Sequence, residues 1–466
     1  MIPNWDINIL IDTCYFTIHE VTVKYHIYVQ ILLAILVLYI IFKKSDKSYG
    51  KLTTEAQKKA MEAWNPLPLV ENCPKMLHTD IVDKKIGKYI FVNNIKCLHA
   101  GSFNFLGLLE NKLAEELAVR AVKKYGIGSC GPRGFYGTVD VHLHLEEELA
   151  RFMGVQDAIV YSYGFSTIAS AIPAYAKRLD VIFADESVNF SIQKGLDASR
   201  SKVVYFEHNN VQHLEELLKE QALIDAKNKK KSRKVRKFLI VEGIYLKTGD
   251  VCVLPELLEL KHKYKLRLFI DESISFGTLG RTGHGITEHF DIPIENVDLI
   301  MCSMENSLAS IGGFCVGSTY IVEHQRLSGL GYCFSASLPP LLTVAAIINL
   351  KDINQNPFTV HKLQKNCEIL DNCLNRSELI TDNFIINGDS DSPLRHLVYK
   401  YEDADEVLDH IVLFCQQEGV ALVKPEYLKE DKLPRDKSIR ISIMSTFTTS
   451  DIKQIVNTIE RAIKNI

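Results

Sequence analysis

Six short runs of β-branched and aromatic residues recur along the chain, separated by stretches whose apolar residues repeat at three and four. The runs are AIVYS (158–162), VIFAD (181–185), VVYFEH (203–208), FLIVEG (238–243), LRLFIDE (266–272) and DLIMCSM (298–304). They lack the polar alternation of a half-exposed strand, so each reads as a strand buried on both faces of a mostly parallel sheet. HLHLEEELARFM (142–153), LEELLKEQALI (214–224) and LPELLELKHKY (254–264) read as helices between them. Such alternation predicts a doubly wound α/β domain over residues 95–340. After Pro339-Pro340 come a long helical stretch, a mixed region with the strand IRISIM (439–444), and a helix striped by Ile452, Ile455, Val456, Ile459, Ala462, Ile463 and Ile466. These predict a smaller C-terminal α+β domain over 341–466.

With 466 residues and 47% hydrophobic content the chain can bury a large core, which excludes disorder over most of its length. Its 54 basic and 57 acidic residues leave a net charge of −3, so there is no global basic field to hold nucleic acid through phosphate neutralisation. The 11 cysteines are scattered, with no C-x-x-C pair, which points to reduced thiols and to no structural metal.

IYVQILLAILVLYIIF (27–42) departs from globular composition, with Gln30 its only strongly polar interruption. With its flanks it reaches the roughly 17 to 20 residues that cross a bilayer core. It predicts one transmembrane helix over 25–43, following an N-terminal segment 1–24 and preceding a linker and arm over 44–94; the alternative is a buried core helix. A cleaved signal peptide would need a basic n-region and a small-x-small site, and neither is present. Lys43, Lys44, Lys47 and Lys51 follow the run, whereas Asp6, Asp12, Glu20 and Lys24 precede it, so the lysine excess predicts a lumenal N-terminus and a large cytosolic part. Residues 1–20, with Trp5, Tyr15 and Phe16 among few charges, form either an interfacial helix that touches lipid or another membrane subunit, or a lumenal tail. In that orientation the sequons at Asn189 and Asn375 stay unglycosylated. The one concentrated basic run, KNKKKSRKVRK (227–237), is either a solvated loop or a contact for anionic headgroups.

Several motifs follow in a fixed order: GIGSCGPRGFYGT (126–138), YSYGF (161–165), HNN (208–210), VEGIYLKTGDVCVLPEL (241–257), DESISFGTLGRTGHG (271–285), SMENSLASIGGF (303–314) and FSASLPP (334–340). From about Ile95 to the C-terminus this series resembles the α-oxoamine synthases, fold-type I pyridoxal-phosphate enzymes, and its spellings are most similar to their serine palmitoyltransferase branch. The resemblance implies a fold-type I transferase with a mostly parallel large domain and a small α+β domain. It implies a place in the condensation of L-serine with palmitoyl-CoA to 3-oxosphinganine at the endoplasmic reticulum membrane. It further implies a heterodimer with a homologous catalytic second subunit, with small activating subunits and ORM-type regulators as further partners.

In catalytic relatives a lysine tethers the cofactor, an acid holds its ring nitrogen protonated and a histidine stacks on the ring. On this resemblance the lysine position falls on Asn306, and no lysine occurs between Lys265 and Lys351. A carboxamide forms no imine, so the cofactor is expected on the partner subunit, bound covalently there. Asp271 matches the ring-nitrogen acid, while Ile274 and Asn189 stand where histidines are expected; all three read as vestigial. Ser335 and Ser337 are expected to reach the partner's cofactor phosphate in trans. Arg133, Phe135, Tyr136 and Cys130 are candidates for a shared pocket, with a structural ion pair the alternative for Arg133 and a small buried thiol for Cys130. Most of the glycines in that segment read as tight turns, and His142 and His144 as helix-start packing. Two other readings remain: a self-sufficient enzyme using Lys247 as its lysine, and a scaffold that contributes to no active site.

Overall fold

All six runs become strands in the computed structural model, which describes residues 25–40, 42, 53–65, 80–428, 430–433 and 435–465. Near the N-terminus lie β1 (Val82–Ile86), β2 (Tyr89–Val92) and β3 (Ile95–His99). The central strands are β4 (Asp157–Tyr161), β5 (Val181–Asp185), β6 (Lys202–Phe206), β7 (Lys237–Glu242), β8 (Arg267–Asp271), β9 (Leu299–Ser303) and β10 (Gly313–Gly317). Towards the C-terminus follow β11 (Phe384–Asn387), β12 (Leu394–Tyr399), β13 (Val420–Ala421) and β14 (Ser438–Ser442).

Three sheets result, ordered β4-β10-β9-β8-β7-β5-β6, β1-β2-β3-β13 and β11-β12-β14. In the first, β9, β8, β7, β5 and β6 run parallel, whereas β10 pairs antiparallel with both β4 and β9. The central strands carry side chains without contact to water, among them Leu239, Ile240, Val241, Leu268 and Ile270, as crossover helices on both faces require. Asparagines cap helices at the ends of these strands: Asn189 accepts from Ile192 N at the start of Phe190–Ser199, and Asn210 from His213 N at the start of Val211–Lys227. In the last helix, Thr449–Ile463, Ile452, Ile455, Val456, Ile459 and Ala462 are buried, as their spacing predicts.

The chain divides into two compact units, Met1–His78 and Thr79–Ile466. In the first, residues 25–40 are helical with exposed side chains, and Thr53 caps a second helix, Thr54–Ala63. Among the described residues no helix is long and apolar enough to cross a membrane, so the expected transmembrane helix over 25–43 is not found. Residues 1–24 and 43–52, on which the expectations of a lumenal segment and of its flanking lysines fall, lie outside the described residues, as do 66–79 of the arm.

Candidate functional site

The four neighbouring parallel strands β9, β8, β7 and β5 end in Ser303, Asp271, Glu242 and Asp185, so one edge of the sheet gathers three carboxylates and a hydroxyl. That carboxyl edge is where open α/β sheets place ligands. Here the groups are turned on one another. Asn189 Nδ2 donates to Asp271 Oδ2 at 2.7 Å, and Ser273 donates to Asp271 Oδ1 from its backbone N at 2.9 Å and its hydroxyl at 2.5 Å. Ser273 Oγ in turn accepts from Ser303 N at 2.9 Å, and its carbonyl accepts from Asn306 Nδ2 at 2.5 Å. Glu242 accepts from Asn189 N at 2.5 Å and Leu246 N at 3.1 Å. Asn189 thus caps its helix, fixes Asp271 and touches Glu242 at once.

Burial, reinforced by the neighbouring Asp271 charge, pushes Glu242 up to about 8. Asp271 is also raised by burial, against the hydrogen bonds from Ser273 and Asn189. No cation pairs with either among the described residues. Asn306 is 4% exposed, and its Oδ1 is a buried acceptor without a donor. At the outer end, His208 sits between Asp185 (2.9 Å) and Asp250 (3.0 Å). Burial opposes its charge, but the two carboxylates outweigh that and lift it to about 9.

The glycine-rich segment is a separate construction. Arg133 is buried and grips Glu146 with two nitrogens at 2.8 and 3.0 Å while Nε donates to Thr138 Oγ1 at 2.9 Å. Its guanidinium is therefore engaged in the structural ion pair that was its alternative reading. Ser337 N donates to Gly131 O at 2.9 Å and Ser337 Oγ donates to Gly137 O, so this hydroxyl faces its own chain and not a partner's phosphate. Gly131 and Gly137 are required here: a Cβ on Gly137 would lie 2.0 Å from Gly131 O. Ser335 is half-buried. His142 accepts from Val139 N through Nδ1 and bonds the Leu338 carbonyl through Nε2 at 2.6 Å, fixing the two segments together. Phe135, Tyr136 and Phe334 stay outside, 71%, 103% and 79% exposed, and Cys130 is exposed rather than a buried thiol. Tyr136 (φ 63°) and Cys130 (φ 54°) take left-handed backbone angles that turn them outward.

Ile274 is buried in the core. Lys247 is buried too, its Nζ 2.7 Å from Asp431 Oδ2 and 2.9 Å from Leu433 O, which engages the amine far from any role as a tether. Ser273, Glu242 and Glu146 are absent from the sequence-based set. The signal for Glu242 was available: VIFAD and LRLFIDE end in an acid and FLIVEG carries one next to its end, and a charge recurring at the ends of buried parallel strands marks their common edge.

Residues 103–459 match the family described as aminotransferase class I and II. Long chain base biosynthesis protein 1b of Oryza sativa subsp. japonica is 37% identical over 95% of this chain and 92% of its own length. Serine palmitoyltransferase 1 of Dictyostelium discoideum is 36% identical over 94% and 93%. The chain belongs to the serine palmitoyltransferase 1 family. Its fold is that of fold-type I transferases: serine palmitoyltransferase of S. paucimobilis with a bound pyridoxal phosphate–myriocin aldimine superposes with a TM-score of 0.75 at 22% identity, over 83% of this chain and 94% of that one. The Sphingomonas wittichii serine palmitoyltransferase gives 0.75 at 21% identity, over 90% and 98%.

A serine palmitoyltransferase fold implies pyridoxal phosphate, and the residues of this chain do not fit a covalently held one. An amide stands at the position expected for the amine, Asn189 at the one expected for the stacking histidine, and Asp271 already accepts three hydrogen bonds. The orphaned Asn306 Oδ1 leaves one acceptor where an imine would need a nucleophile.

Proposed function

We propose that this chain is the required, non-catalytic subunit of a serine palmitoyltransferase, which condenses L-serine with palmitoyl-CoA to 3-oxosphinganine. A homologous second subunit supplies the lysine and holds pyridoxal phosphate, the electron sink for the bond changes at the serine α-carbon. This chain supplies the facing surface. The observation that carries the reading is Asn306 at the tether position, its amide already donating to Ser273 O. The exposed Phe135, Tyr136 and Phe334 support a partner seated over the glycine-rich segment, since aromatic anchors of this kind dominate interfaces. Ser335 remains the candidate for reaching the partner's cofactor phosphate.

The assembly is placed on the endoplasmic reticulum membrane, with the N-terminus lumenal and Thr79–Ile466 cytosolic. The exposed apolar helix 25–40 and the lysines that follow it in sequence support this placement.

Tagging the chain in its native membrane, identifying co-purifying polypeptides and assaying serine-dependent CoA release tests the reading. A homologous lysine-bearing partner, with activity only in the pair, is the expected result. Activity and a borohydride-trapped cofactor in the isolated chain would overturn it.

A further inference from the structure

The amino ends of β5, β6 and β7 lie opposite the edge that carries Asp185 and Glu242, and they border a groove of about 470 Å³. Arg178, Leu179, Lys202, Ile224, Lys227 and Ser232 line it, so the loop before β5, the start of the edge strand β6 and the end of helix Val211–Lys227 share one surface. Two observations set this surface apart.

The first is charge. The acids within it are already paired, Asp180 with Arg236 at 2.7 Å and Asp225 with Lys237 at 2.9 Å. Arg178, Lys227, Lys229, Lys230, Arg233 and Lys234 are exposed and have no ion pair among the described residues. The run 227–237 is thus neutralised only at Arg236 and Lys237, leaving Lys227, Lys229, Lys230, Arg233 and Lys234 without an ion pair among the described residues, and it is helical over Lys229–Ser232 rather than a simple loop.

The second is the apolar component. Helix Val211–Lys227 buries Leu214, Leu218 and Gln221, and its last turns leave Leu223 (66%) and Ile224 (53%) in water, Ile224 lining the groove together with Leu179 (64%). A merely solvated basic face has no use for three large aliphatic side chains among its lysines. A surface that meets an anionic bilayer does, because lysines attract the headgroups while the aliphatics enter the interfacial layer.

We propose that this basic and aliphatic surface is a peripheral docking site for anionic phospholipid headgroups. It rests on the membrane placement proposed above. Docking there turns the amino ends of the strands to the lipid and the carboxyl edge away from it.

The test uses the full-length chain reconstituted into nanodiscs of phosphatidylcholine alone or phosphatidylcholine with phosphatidylserine, read by trypsin cleavage within 227–237. Cleavage slowed roughly tenfold or more by phosphatidylserine, and restored by high salt, is expected. Read at the remaining sites Arg233 and Lys234, K227E/K229E/K230E should abolish that dependence and L223S/I224S should weaken it, the latter leaving cleavage in phosphatidylcholine unchanged. Equal cleavage in both lipids overturns the proposal, as does protection that appears only when an acidic protein co-purifies. The readout is independent of turnover: retained activity with equal cleavage would remove the docking surface and leave the proposed function standing.

Discussion

Asn189 donates to Asp271 at 2.7 Å from the same side chain whose oxygen caps the helix Phe190–Ser199. One residue thus holds both the carboxylate at the end of β8 and the start of the helix that follows β5.

Restoring the lysine alone should therefore fail. Asn306→Lys introduces an amine into a place where Ser273 and Asn189 still occupy Asp271. The isolated variant mixed with pyridoxal phosphate is expected to show no imine absorbance and no borohydride-stable adduct. A trapped adduct at residue 306 would show that the network yields to the cofactor.

Glu242 predicts a pH dependence of stability. Its ordinary value of 4.5 in the unfolded chain rises to about 8 on folding, so between these values the folded state keeps a proton that the unfolded state releases. Its contribution is fully present below about 4.5 and declines as pH rises through about 8. Urea unfolding of Glu242→Gln across that range should give a flatter profile than the parent chain; an unchanged slope would place the titration elsewhere.

The Arg133–Glu146 pair is buried on both sides, with side chains 3% and 5% exposed. Glu146→Ala strands the buried Arg133 guanidinium and should cost about 3–5 kcal/mol in denaturant unfolding; Arg133→Ala should cost less, because Arg326 still lies 3.5 Å from Glu146. Arg133→Ala/Glu146→Ala should cost much less than the sum of the single variants. Additive losses would argue against coupling.

The exposed aromatics offer the opposite behaviour. Phe135→Ser, Tyr136→Ser and Phe334→Ser remove side chains already in solvent, so the melting temperature of the isolated chain should hold. Recovery of the homologous partner in pull-downs should fall several-fold. Undiminished recovery would move the interface away from this segment.

The parallel core was legible because burial on both faces leaves an unbroken apolar run: VIFAD became β5 without a shift, and the other five runs match within two residues. β10 was missed because GFCVG begins and ends in glycine and reads as a turn. Gly313 is there for close approach, since a Cβ would lie 2.4 Å from Thr167 Oγ1. Its antiparallel pairing makes the sheet mixed rather than purely parallel. At the site, Asn306, Asn189 and Asp271 were identifiable by position in a motif, but their mutual hydrogen bonds were not, because 82 residues separate Asn189 from Asp271. Ser337 shows the same limit: residue type suggested reach toward a ligand, and its hydroxyl donates to Gly137 O. For Arg133 the ion pair held open as the alternative is the contact present.

The double duty of Asn189 ties two elements of this edge into one unit. Asn189→His would remove a helix cap and release Asp271 together, and Asn306→Lys alone would meet an acid already taken. Position 189 therefore cannot be exchanged one contact at a time: a new side chain there unsettles the end of β8 and the start of the helix after β5 in the same step.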